Sequence, residues 1–315
     1  MSEPATILVT GAAGFMGRHL LRSVARSKNQ ARWCAVDLAP PERWWDTPED
    51  FQFVRADCAD LGECEQLLRE HAPSAVVHLA GVTRRGASSE ERELLFRSNL
   101  VSTCNMLKAL SRSGAAPTHF VLASSGLTYG NQPSPFTEAL PAIPVDDYSM
   151  CKMLAEQAVL SYARAGLVRA CILRPAVVYG PGQSGDMFVP AMLGALRAGR
   201  RFAMTAGKQT RDFIYIEDVV KAMALVVERG LEGTYNIGTG EGIAMRDVAE
   251  LVARLLHCPG LLGIGDLPYR EREVWAYALD PSRLRAEGWQ PHVSIEEGLR
   301  RTLDWGESPV CASHG

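Results

Sequence analysis

The chain has 315 residues, 47% of them hydrophobic, which suits one large domain or two lobes around a sizeable core and excludes a disordered protein. Its 33 basic and 36 acidic residues leave a net charge of −3, so a nucleic-acid binder or membrane-surface protein is not expected, and any anionic ligand must be held by local groups. The eight cysteines form no C-x-x-C pair and no Cys/His spacing suited to zinc; they read as reduced thiols, with no metal site expected.

The first predicted strand, Thr6 to Thr10, begins too early to leave room for a secretory signal. No apolar run is long enough to span a bilayer, so a cytoplasmic location is expected. The strand runs into Gly11, Gly14 and Gly17 of VTGAAGFMG, and a helical pattern follows from Gly14 to Ser27. Glycines so placed allow a tight turn, close approach of backbone N–H groups to a pyrophosphate, and packing of helix on strand. The second strand, Trp33 to Val36, ends at Asp37, twenty residues past Gly17, where a carboxylate can bond the adenosine ribose hydroxyls and repel a 2′-phosphate. NAD is therefore expected, with NADP left open by Arg18 and Arg43.

A third strand, Phe51 to Val54, leads into RADCAD, where Asp57 is placed to face adenine, and a helix is predicted over Leu61 to Glu70. The fourth strand, Ala75 to His78, leads into His78-Leu79-Ala80-Gly81, with His78 read as a buried, hydrogen-bonded residue rather than a catalyst. A helical stretch, Glu90 to Arg112, precedes the fifth strand, Phe120 to Ala123, which ends in Ser124 and Ser125. Next comes a helix from Tyr148 to Ala165, then a sixth strand from Arg169 to Leu173. Near-continuous apolar strands joined by helical crossovers predict a parallel sheet covered on both faces. Beyond about residue 176 the regularity breaks into Gly- and Pro-rich loops such as GPGQSGD, with helices over Glu217 to Glu228 and Met245 to His257. The expected fold is α/β: a Rossmann-type doubly wound parallel sheet over residues 1–175 and a smaller C-terminal α/β substrate-binding lobe over 176–315, segments of which return to the first domain.

Tyr148 and Lys152 stand four apart in YSMCK, on one helix face. A phenol ionises near pH ~10 when unperturbed, and an ammonium one turn away stabilises its phenolate, so the pair can pass a proton while a dinucleotide passes a hydride. Ser125, at the ligand-binding end of a parallel sheet, is placed to bond a substrate oxygen beside Tyr148.

The ordered pieces TGAAGFMG, HLAG, Asn99 in RSNLVSTCN, SSGLTYG, YSMCK, LRPAVVYGPG, RDFIYIEDV, YNIGTG and REREVWAYALDPSRLRAEGWQPHVSIEEGL run nearly the whole length. In them the chain resembles the extended short-chain dehydrogenase/reductases, in particular the nucleotide-sugar epimerase/dehydratase group. The resemblance implies a catalytic set of Ser125, Tyr148 and Lys152. It implies cofactor contacts from Gly11, Gly14, Phe15, Met16, Gly17, Asp37, Asp57, Cys58, Leu79, Ala80, Gly81, Asn99, Ser124, Tyr148, Lys152 and Pro175. Substrate contacts are implied at Thr83, Ser125, Tyr148, Val177, Arg211 and Arg270, the two arginines gripping the pyrophosphate of a nucleoside-diphosphate sugar by their planar forks. Their alternative is a structural ion pair.

Two departures bear on the reaction. Dehydratases of the group carry an Asp-Glu pair just after the serine or threonine; here those places hold Gly126 and Leu127, which cannot act as acid and base. Many relatives have an asparagine where this chain has Val177. The residues leave a 4-ketoreductase or 4-dehydrogenase of a (6-deoxy)hexose nucleotide as the first reading and a 4-epimerase as the second. A ketone reductase on a non-sugar substrate and an idle dinucleotide-binding regulator come after these. By resemblance, the helices Glu90 to Arg112 and Tyr148 to Ala165 build a homodimer interface.

Overall fold

The structure, a computed structural model, describes residues 5–26, 31–40, 51–83, 88–114, 117–271 and 273–305. Ser27 and Arg43, which entered the sequence reading, and Cys311, one of the eight cysteines, lie outside the described residues. In chain order the first elements are β1 (Thr6–Thr10), α1 (Phe15–Ala25), β2 (Arg32–Asp37), β3 (Gln52–Arg55), α2 (Leu61–His71), β4 (Ala75–His78), α3 (Ser89–Phe96), α4 (Ser102–Arg112), β5 (Thr118–Ala123), α5 (Asp147–Arg164) and β6 (Val168–Pro175). There follow β7 (Val177–Tyr179), α6 (Phe188–Arg197), β8 (Phe202–Met204), β9 (Thr210–Arg211), β10 (Phe213–Tyr215), α7 (Ile216–Arg229), β11 (Gly233–Ile237), β12 (Ile243–Ala244), α8 (Met245–Leu255), β13 (Leu262–Ile264), α9 (Ser282–Ala286) and α10 (Ile295–Trp305).

A seven-stranded sheet has the order β11-β6-β5-β4-β1-β2-β3. The five pairings from β3 through β6 are all parallel, in registers such as Val9 with Val77 and Phe120 with Ala170. β4 and β5 are buried at every residue, as strands covered on both faces must be, which is why they read as unbroken apolar runs in the sequence. Helices α2, α4 and α5 lie against this sheet through Leu67, Met106, Leu107, Ala155 and Val159, which form one apolar cluster with Leu8, Val36, Phe120 and Ile172. The strand order reverses between β1 and β4, the place where open α/β sheets bind ligands at their carboxyl ends.

The chain divides into two compact units: Met1–Gly130 with Pro141–Arg174 and Val220–Tyr235, and Asn131–Leu140 with Pro175–Val219 and Asn236–Gly315. A main break falls at 175, but 131–140 leaves the first unit and 220–235 returns to it. The return has a physical reason: β11 covers the open edge of β6, removing an unpaired strand edge. This is a long-range pairing that local patterning cannot reveal. The second unit is built from short strand pairs, β7 with β10 and β8 with β13 in parallel and β9 with β12 antiparallel. At its centre the buried Asp212 carboxylate accepts from Thr239 N (2.9 Å), Thr239 Oγ1 (2.6 Å), Gly240 N (3.2 Å) and Leu279 N (3.2 Å), which shapes the turn after β11. Burial raises the pKa of Asp212, against the pull of those hydrogen bonds.

Candidate active site

At the end of β1 the chain turns at Gly11, whose φ of +68° suits glycine and where a Cβ would stand 2.6 Å from Ala80 N. Gly14 bonds back to Gly11 O at 3.0 Å and caps α1 without a side-chain hydrogen bond. The first turn of α1 carries no acidic residue, so its N–H groups and dipole are left to an anion. Phe15 and Met16 are half-buried at this start and Gly17 is buried. Asp37, closing β2, accepts from Ala13 N at 2.9 Å and Ala39 N at 3.0 Å. The carboxylate thus ties β2 to the glycine turn and keeps lone pairs for a ribose. Burial lowers the pKa of Arg18, and Asp37 pulls it the other way.

Asp57 is less open than the sequence suggests. Its carboxylate accepts from Ala59 N (2.8 Å) and Arg97 (2.7 Å), so it is occupied in holding the β3–α2 loop, and an adenine contact would have to share or displace these partners. Next to it, Cys58 is buried, its thiol pushed up first by its hydrogen bond with Cys64 and then by burial. No disulfide joins the cysteines of the described residues.

Leu79, Ala80 and Gly81 follow β4, and Thr83 is exposed just beyond. His78 is 1% exposed, with Nδ1 2.8 Å from Thr10 Oγ1 and Nε2 3.4 Å from Ser102 Oγ. Burial, helped by Lys152, lowers its pKa to about 3, so the ring is neutral and structural, as its sequence context suggested. Between α3 and α4 the helix widens into a π turn, Arg97–Val101, a distortion that recurs at functional sites. The turn carries Asn99, whose Nδ2 donates to Val82 O and Leu95 O. Its Oδ1 is buried without a partner and faces Gly81, where a Cβ would come within 2.4 Å of it. An acceptor so deeply buried and unsatisfied, beside a strand end without side-chain bulk, fits a polar ligand at this sheet edge.

Helix α5 is fixed at its start by a capping box, with the Asp146 side chain accepting from Ser149 N at 2.8 Å. Tyr148 is the second residue of the helix and half-buried. One turn on, Lys152 is 6% exposed and donates to Ala123 O at 2.9 Å. Burial lowers its pKa to about 8, against the opposing pull of Cys151 and Glu156. The lysine thus meets β5 at the residue before the serine pair. Ser125, 6% exposed, caps a short 3-10 turn, Gly126–Tyr129, and its Oγ accepts from Leu127 N at 3.2 Å, which leaves its O–H free to donate. Ser124 differs: expected at the cofactor, it donates its hydroxyl to Glu156 at 2.5 Å, because neighbouring residues at a strand end project to opposite sides.

Glu156 and Arg174 were missed in the sequence. Glu156 is fully buried one turn beyond Lys152 and receives two bonds from Arg174, at 2.9 and 2.6 Å. Its spacing of four from Lys152 was the available signal; its partner on β6 could be found only in three dimensions.

In the second unit Arg211, expected on a pyrophosphate, is committed within its own unit: it donates to Thr210 O, Val274 O and Glu273. Its guanidinium therefore has a built ion pair, and a phosphate would have to compete with Glu273, the acidic end of the segment that begins at Arg270. Arg270 is exposed. Pro175 is buried at the end of β6, and Val177, half-buried in β7, bonds through its backbone N to Asp212 O. Its apolar side chain cannot supply the hydrogen bond of an asparagine.

A parallel sheet with a glycine turn after its first strand, a serine at the end of its fifth and a tyrosine and lysine one turn apart on the next helix defines an extended short-chain dehydrogenase/reductase. Within that class the chain belongs to the NAD dependent epimerase/dehydratase family, whose profile matches residues 7–238. It is 30% identical to a dTDP-glucose 4,6-dehydratase of Mycobacterium tuberculosis, with 95% of this chain and 92% of that protein aligned. It is 28% identical to a trifunctional UDP-glucose 4,6-dehydratase/UDP-4-keto-6-deoxy-D-glucose 3,5-epimerase/UDP-4-keto-L-rhamnose-reductase of Arabidopsis thaliana. That alignment covers 96% of this chain, which spans about half (47%) of the plant protein's length. Among solved structures it resembles the UDP-glucose 4-epimerase of Thermus thermophilus in complex with NAD, at 30% identity and a TM-score of 0.85 over 96% of this chain and 99% of that one. The family is one of NAD-dependent enzymes. Among the described residues no helix is long and apolar enough to cross a membrane.

Proposed function

We propose that this chain is an NAD-dependent oxidoreductase acting at C4 of a nucleoside-diphosphate hexose, reducing a 4-keto-6-deoxy sugar or oxidising the corresponding alcohol. The observation that supports this reading is that Lys152, one turn along α5 from Tyr148, bonds the β5 end that leads to Ser125, while Gly126 and Leu127 follow the serine with no acid or base between them. Without an acid and base at those places, elimination of water has no catalyst, and one proton with one hydride is what the remaining groups can move.

The cofactor would rest with its pyrophosphate against the turn formed by Gly11, Gly14, Phe15, Met16 and Gly17 and its adenosine toward Asp37, Asp57 and Cys58. Leu79, Ala80, Gly81, Asn99, Tyr148, Lys152 and Pro175 would meet its other end. Bound NAD supplies hydride transfer. Ser125 orients the reacting oxygen by donating to it, and Tyr148 gives or takes the proton at that oxygen. Lys152, buried and charged below about pH 8, stabilises the phenolate and holds the ribose. Within the second unit, Arg270 and, after exchange with Glu273, Arg211 are the groups suited to a diphosphate.

A second reading, a 4-epimerase, draws support from the likeness to the Thermus enzyme. The two are separated by presenting nucleotide 4-keto sugars and hexoses with NADH and identifying the products by NMR. Stoichiometric loss of NADH absorbance with a ketone substrate is the expected result; sugar inversion without net NADH loss would replace the first reading with the second. Leu94, Val101 and Leu154, on α3, the π turn and α5, are 47%, 41% and 36% exposed and support a homodimer through this face. Leu154→Glu is expected to convert a dimer to a monomer in sedimentation velocity, and a monomeric parent would refute the dimer.

A further inference from the structure

The Glu156–Arg174 ion pair is deeply buried, with side chains 0% and 8% exposed. Replacing such a pair by apolar groups is often neutral for stability, so a positional role is the place to look for its use. It touches the catalytic segment at both ends. At the start, Ser124 donates to the Glu156 carboxylate; at the end, the Arg174 guanidinium lies 4.6 Å from the ring centroid of Tyr129. Between these two anchors lie Ser125 and the 3-10 turn it caps. The backbone is gripped as well, Ser124 N bonding Leu173 O at 2.8 Å and Ala123 O taking the Lys152 ammonium.

We propose that Glu156 is a positioning residue for the reaction: anchored by Arg174, its carboxylate holds Ser124 and so fixes the strand end from which Ser125 and the Ala123 carbonyl meet the substrate and Lys152. This rests on the reading of Ser125, Tyr148 and Lys152 as the reacting set. The same carboxylate is the acidic group that acts on the buried lysine from its own helix. Other titratable or charged groups near that lysine are Tyr148, one turn back on α5, Cys151 beside it on the same helix, His78 from β4, neutral at working pH, and Arg174 from β6, bonded to Glu156. Loss of the Glu156 charge therefore weakens the hold on the ammonium proton.

Two variants test this. Ser124→Ala leaves the ion pair and the lysine bond in place and cuts only the link between them and the serine pair. It is expected to melt with the parent and bind NADH equally, to keep KM for the sugar nucleotide within about threefold, and to lose about tenfold or more in kcat, since small misplacement of a reacting group is costly. Glu156→Gln keeps the size of the side chain and removes the charge. Lys152 is one of five lysines in the chain, so its resonance in protein labelled at lysine Cε can be assigned with a Lys152→Arg reference; it is expected to titrate lower in Glu156→Gln than in the parent, where burial already lowers its pKa to about 8. A folded Ser124→Ala enzyme with parental kcat, or an unmoved lysine titration in Glu156→Gln, overturns the proposal. If Glu156→Gln does not fold, the Ser124→Ala kinetics decide alone. If the parent turns over no nucleotide sugar, the proposed function fails, and the titration, which needs no substrate, still decides the role of Glu156.

Discussion

Two buried residues respond to pH, Lys152 through the proposed reaction and His78 through stability. Lys152 has its pKa lowered to about 8 by burial, so it carries charge below that value and loses it above. In the proposed reaction this ammonium is the cation that serves Tyr148, so kcat/KM should fall on the alkaline side with an apparent pKa near 8 in a pH–rate profile; a flat profile to pH ~10 would contradict this. His78 works in the other direction and on stability. Its folded pKa of about 3 lies below its ordinary value near 6.5, so the unfolded chain binds a proton that the folded chain refuses. That contribution is complete above about pH 6.5 and is lost as the pH falls toward 3, at about 1.4 kcal/mol per pH unit. His78→Gln should flatten the acid arm of a stability curve measured by urea unfolding between about pH 4 and 6.5. At this scale the sequence is legible where a residue works through its own neighbours. Gly11, Asp37 and the Tyr148/Lys152 spacing stand out for that reason. The Asn99 amide bond to Val82, the Ser124 bond to Glu156 and the competition of Glu273 for Arg211 depend on partners between 17 and 62 residues away, and no local pattern announces them.

At the scale of elements, the strands and helices of the first unit follow from period and capping. β1 and β4 have the limits expected from the sequence, and the other four predicted strands shift or extend by one or two residues at their ends. The long stretch expected over Glu90 to Arg112 is helical, yet the π turn around Asn99 interrupts its α-helical form, and nothing in its apolar spacing marks the interruption. α5 has the most functional dependence on its own ends, since Tyr148 stands in its first turn. Asp146 holds that turn through Ser149 N, and Asp146→Ala is expected to cost about 1 kcal/mol in stability. Because fraying begins at the capped end, kcat should fall by more than the small drop in folded fraction explains. Thermal melting and steady-state kinetics of the same preparation check both; an unchanged kcat with a lowered melting temperature would leave the cap purely structural.

Over the whole molecule, the sheet order places the glycine turn, the HLAG turn and the serine pair at the carboxyl ends of β1, β4 and β5, neighbours across the reversal of strand order. Short local motifs far apart in the chain come to neighbouring strand ends by topology alone. The second unit was harder to read because its strands are two to three residues long and its centre is an Asp212 hydrogen-bond hub rather than a periodic apolar face. β11 shows the same limit, as its place in the sheet comes from a pairing partner some sixty residues earlier. The account turns on Tyr148 as the group that moves the proton, and Tyr148→Phe tests it most directly. Turnover of a nucleotide 4-keto sugar should fall by at least about a hundredfold, the range that positioned acid–base catalysis supplies, with NADH affinity unchanged by calorimetry. Turnover at the parental rate in a folded, NADH-binding Tyr148→Phe enzyme would contradict it.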